Sequence, residues 1–65
     1  MEPEALLPQL LHIPLADAEH LAAANGYSIR ITRQDGREIE GTMDYRMTRV
    51  NVHLRHGMVT RAFVG

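Results

Sequence analysis

The chain has no cysteine, no lysine and no tryptophan, one phenylalanine and one serine, Ser28. Without cysteine there is no disulfide to brace the fold and no thiolate for a zinc site. Ser28 falls in a predicted strand and has no base placed to activate it, so the chain reads as a non-enzyme with no cofactor. No apolar run approaches the roughly 18 residues that a membrane span needs. The N-terminus lacks the basic start and apolar core of a secretion signal. The compartment is left open: cytoplasmic, or secreted or periplasmic if a leader has been removed. At 65 residues the chain has room for one core, and a small one.

Since lysine is absent, all seven basic residues are arginine, and they are unevenly placed. Residues 1–26 carry Glu2, Glu4, Asp17 and Glu19 and no cation; from Tyr27 onward seven arginines stand against Asp35, Glu38, Glu40 and Asp44. Arginine suits planar, two-pronged pairing with carboxylates. The slightly acidic whole, with a net charge of -1, and the scarcity of aromatics are unlike a nucleic-acid-binding module, so no nucleic-acid partner is expected. His12, His20, His53 and His56 show no ligand spacing, and no metal site is expected.

Periodicity predicts a small α/β domain with one helix packed on a small mixed sheet. Pro14 suits a helix start. Leu15–Ala24 follows, with Leu15, Ala18, Leu21 and Ala22 as its buried stripe and Asn25-Gly26 as its stop. Tyr27, Ile29 and Ile31 alternate with polar residues as a strand. Gln34-Asp35-Gly36-Arg37 is a turn signal. After it, Arg37–Glu40 either pairs back as a hairpin arm with Ile39 inward, or belongs to one extended loop over 33–44. Arg46–Leu54 reads as the second main strand, His56-Gly57 as a turn, and Met58–Phe63 as a returning strand. That last strand lies at an edge and allows a monomer or a weak homodimer. Residues 1–13 are set apart as an N-terminal arm. Leu6, Leu7, Leu10 and Leu11 have helical spacing, and the arm either packs on the core as a short turn or orders only on a partner. The remaining domain is 14–65.

The most distinctive stretch is Gly41–Val52. It opens as a loop, places Met43 beside Asp44, reaches Arg46 and Arg49, and runs into the alternating Val50, Val52 and Leu54. Thr42-Met43-Asp44-Tyr45-Arg46, followed by Arg49-Val50-Asn51-Val52 and by Val64-Gly65, resembles the potato inhibitor I family of serine protease inhibitors. The Arg-Val-Asn-Val run is closer still to a sister group of small bacterial and fungal peptidase inhibitors. The resemblance spans about residues 14–65, and 42–52 is its specific part. It implies a long exposed reactive-site loop that enters a serine protease as a substrate does. The scissile bond would be Met43–Asp44, and Ile39, Glu40, Gly41, Thr42, Tyr45 and Arg46 would touch the enzyme. It also implies a brace beneath the loop formed by Arg46, Arg49, Asn51 and Gly65, with Thr42 and Asp44 as acceptors. The second arginine of the plant and leech members is Asn51 here, and Glu40-Gly41 stands where that family usually has apolar side chains. Apart from the resemblance, the same loop and arginines fit a protein-binding module without protease activity.

Overall fold

The computed structural model describes residues 1–41 and 43–65. The elements are α1 (Pro3–Leu10), α2 (Leu15–Ala24), β1 (Ser28–Gln34), β2 (Arg37–Glu38), β3 (Arg49–Arg55) and β4 (Met58–Val64). The strands form one mixed sheet in the order β2-β1-β3-β4. Its two central strands, β1 and β3, are parallel; β2 and β4 are antiparallel to their neighbours. This is the small α/β domain that the periodicity predicts, with a second helix added.

The second helix comes from residues 1–13. Pro3 starts α1 where a missing N–H costs nothing. Leu6 and Leu10, one turn apart on the same face, are wholly buried beside Ala18, Val50, Val52, Leu54 and Val59. The arm is thus part of the domain's single core. The segment after α1 also runs along the edge of β4. The His12 N–H donates to the Val59 carbonyl at 2.7 Å, and the Val59 N–H donates to the Ile13 carbonyl at 3.0 Å. This end of the expected dimer edge is already paired within the chain.

α2 has the predicted bounds, with Pro14 as its N-cap. Ala18 and Ala22 are buried, while Leu15 and Leu21 are half-buried against the rim of the core. Small residues at the centre of the stripe let the helix lie close to the sheet. Gly26, with φ +83°, turns the chain into β1. Along β3, Val50, Val52 and Leu54 point to the helices, and Arg49, Asn51, His53 and Arg55 point to the other face.

Two tight turns close the hairpins. Asp35-Gly36 and His56-Gly57 both have positive φ at each residue, the mirror-image geometry whose twist matches paired strands. The Asp35 carboxylate accepts the His56 N–H at 2.8 Å, so the two turns are tied at one end of the sheet.

Three expectations need correction. The hairpin arm after Gly36 pairs only through Arg37–Glu38, with one further bond from the Ile39 N–H to Thr32 O. Ile39 is 42% exposed rather than inward, because the chain leaves the sheet there to begin its return toward β3. The second main strand begins at Arg49 rather than Arg46. Met47 and Thr48 form a turn first, in which the Arg49 N–H reaches the Arg46 carbonyl at 3.3 Å.

The buried leucines of α1 make a clear test. A domain of this length has about 3–10 kcal/mol of total stability at typical per-residue values. Leu6→Ala should lower it by about 2–5 kcal/mol. Urea unfolding of this variant should show a lower midpoint with the whole sheet lost in the same transition.

Candidate functional site

Parallel pairing of β1 and β3 dictates the loop. The chain leaves β1 at one end of the sheet and must enter β3 at the other. For a seven-residue strand that return is about 23 Å at the usual rise of roughly 3.3 Å per residue. The return runs through 35–48, and among its described residues there is no helix. Ile39, Glu40, Gly41 and residues 43–48 are all exposed. Met43 is 100% exposed, Tyr45 68% and Met47 75%. Thr42 lies outside the described residues.

Next to the bare Met43 the chain is held. Arg46 Nε donates to Asp44 Oδ2 at 2.9 Å. Arg49 Nη2 donates to the Asp44 backbone carbonyl at 2.8 Å and lies 3.5 Å from Oδ1. Arg30 Nη1 stands 3.9 Å from the same Oδ1. Three guanidinium groups therefore converge on one residue.

Each arginine has a different footing. Arg46 belongs to the loop and is mostly in water. Arg49 leads into β3, and its side chain is only 12% exposed. Its second prong, Nε, donates to the Gly65 carbonyl at 2.8 Å, and the Gly65 N–H returns a bond to the Arg49 carbonyl at 3.0 Å. Arg49 thus clamps the end of β4 and the loop in one planar fork. Arg30 comes from β1, and its Nε donates to Asn51 Oδ1 at 2.7 Å. Arg30 and Asn51 are register partners across the parallel pair, which is why they meet. Asn51 is 2% exposed, and among the described residues no buried side-chain polar atom lacks a hydrogen-bond partner.

Gly65 is positioned by a close approach. A Cβ there would stand 2.9 Å from Asn51 Nδ2 and 3.8 Å from the Tyr45 ring. A side chain at 65 would press on the asparagine that orients Arg30.

The structure therefore gathers Arg46, Arg49, Asn51 and Gly65 into one network around Asp44. Arg30 is the member that sequence reasoning missed. Alternation placed it on the outward face of its strand, but only the parallel register sets it against Asn51. Met47 was also missed: with Tyr45, Tyr27, Pro3 and Val64 it lines a shallow surface groove beside the loop.

His53 lies farther along the same sheet face. Its ring meets Phe63 edge-on, with centroids 5.9 Å apart. Burial first, then the charges of Arg33 and Arg61, hold its pKa below the ordinary value, and Glu38 partly opposes them. Among the described residues no group of histidine and acidic side chains could hold a metal ion. No helix among them is long and apolar enough to cross a membrane.

Comparison with family models, with curated proteins and with solved structures found no match to this chain.

Three outcomes follow from this geometry. Arg49→Ala releases Asp44 and Gly65 together and should cost about 1.5–3 kcal/mol, the usual range for hydrogen bonds to a charged group. Arg46→Ala removes a water-exposed pair and should cost less than about 1 kcal/mol. Chemical denaturation of both variants checks the order. His53 takes up its proton at lower pH in the folded chain than in the unfolded one, so the unfolded state binds more protons as pH falls below about 6.5. Stability should fall over that window on acidification, and His53→Gln should flatten the slope in melting curves taken from pH 8 to 5.

Proposed function

We propose that this chain is a reversible, substrate-like inhibitor of serine endopeptidases, with Met43–Asp44 as the scissile bond. The observation that carries the reading is a fully exposed Met43 joined to a residue whose carboxylate and backbone carbonyl are both held by arginines. The resemblance of residues 42–52 to the potato inhibitor I family and its sister group supports it.

The physical argument concerns the leaving group. A protease cuts the bond after Met43, and an ordinary substrate then loses the Asp44 side by diffusion. Here Asp44 stays tethered through Arg46 and Arg49, and Arg49 is itself tied to Gly65. The new amine remains near the acyl carbon, so the bond re-forms. Holding the loop in one conformation also lowers the entropy cost of binding. Each exposed ion pair contributes only about 0–1 kcal/mol to folding. Its effect on inhibition is geometric.

Met43 supplies contact. Burying a side chain of this size in a protease pocket is worth roughly 1.5–3 kcal/mol, and a flexible thioether fits irregular apolar pockets. That suits chymotrypsin-, subtilisin- or elastase-like enzymes over a trypsin-like pocket, which holds an acid for a basic side chain. Glu40, Gly41, Tyr45 and Arg46, exposed on either side, would make the flanking contacts.

A second reading has its own support. Tyr45 and Met47 are bare beside the groove that reaches Pro3 and Val64, so the same surface suits a protein partner that is not a protease.

Incubation with chymotrypsin, subtilisin, an elastase and trypsin, followed by mass spectrometry over hours, separates the readings. Inhibition should come with slow, single cleavage between Met43 and Asp44. Met43→Lys should move the preference to trypsin by at least tenfold. Arg49→Ala should be cleaved at the same bond much faster. An intact chain that inhibits none of the four enzymes would overturn the inhibitor reading and leave the non-protease partner.

A further inference from the structure

The polar face of the sheet holds two groups of arginines, and only one surrounds an acid. At the entry of β3, Arg30, Arg46 and Arg49 converge on Asp44. Toward the other end, Arg33, His53 and Arg61 are register partners across β1, β3 and β4, with a register irregularity beside them in both strand pairs. Glu38 continues the row on β2 and pairs with Arg33 at 3.1 Å. Its carboxylate is 81% exposed, at the margin of the sheet rather than over its centre.

Arg33 and Arg61 flank His53 from the two strands on either side of β3. Arg61 lies over the Phe63 ring, 5.2 Å from its centroid, and His53 meets the edge of the same ring. The charged groups facing His53 are Arg33 and Glu38 on one side and Arg61 on the other. On its own strand it has Asn51 and Arg55, and the latter reaches over the turn at Gly36, 3.8 Å from where a Cβ there would stand. The helices pack on the opposite face and bring no charge to it. Two guanidinium groups against one carboxylate leave the row one positive charge in excess, or two when the imidazole is protonated.

We propose that this row is a second binding site, distinct from the Asp44 loop, which takes a phosphate group between Arg33 and Arg61 over His53. Arginine forks match phosphate oxygens in pairs. A dianion balances the row with His53 protonated, whereas a single carboxylate leaves it positive. The proposal is independent of protease inhibition.

The test follows the ring protons of all four histidines by NMR from pH 5 to 8, in inorganic phosphate and in chloride at equal ionic strength. Phosphate should raise the His53 midpoint by about 1 pH unit, because an anion in contact favours the charged imidazole. The effect should saturate, and His12 and His20 should not move. Arg61→Gln and Arg33→Gln should each weaken the phosphate-minus-chloride difference at least tenfold in concentration. O-phosphoserine in a parallel titration separates the sources: tighter binding marks a phosphate ester as the ligand, and equal binding marks the free ion. Identical His53 midpoints in both salts, equal movement of all four histidines, or full retention of the effect in both variants would overturn the site.

Discussion

Two parallel strands side by side set the terms for the rest of this domain. Antiparallel neighbours can be joined by two residues, as β1–β2 and β3–β4 are here. Parallel neighbours cannot, because the second strand starts where the first began. In larger α/β proteins a helix makes that return and covers the sheet. Here both helices precede the sheet and lie on one face, so the return is a bare chain. A long exposed loop is therefore the direct result of the pairing order.

A loop of that length has many conformations unless something holds it, and there is no disulfide to do so. The holding groups are three guanidiniums that differ in burial and in origin. Arg46 belongs to the loop, Arg30 to β1 and Arg49 to β3. Arg49 matters most, since it is the most buried and bonds both the Asp44 carbonyl and Gly65. The loop is thereby coupled to the start of β3 and to the chain just after β4, which meet at one end of the sheet. It follows that the site and the fold share residues: a change at Asn51 acts on the loop through Arg30, and one at Gly65 acts through Arg49, Asn51 and direct contact with Tyr45.

The absence of lysine takes on meaning in this setting. Two of the arginines act through directional forks, Arg49 to two carbonyls and Arg30 to an amide and an acid, and Arg61 lies over an aromatic ring. An ammonium group has no planar fork to present and would reproduce neither of the first two geometries. The arginine-rich half is thus an organised polar face on the back of the sheet, with His53 and Phe63 among its members.

The sequence by itself determined the elements whose signals are local. Helix α2, the alternation in β1, β3 and β4, and the turns at Asp35-Gly36 and His56-Gly57 depend on residues a few positions apart. The loop was legible too, through the unusual run of Met43, Asp44, Arg46 and Arg49. Only the tertiary structure decided what depends on partners far along the chain. Whether residues 1–13 form an arm or a core helix turned on the existence of a groove for Leu6 and Leu10. Where β2 stops and Ile39 emerges turned on where the return begins. Arg30 joined the site through a strand register that no local pattern encodes, because alternation says which face a residue takes and not which residue lies beside it.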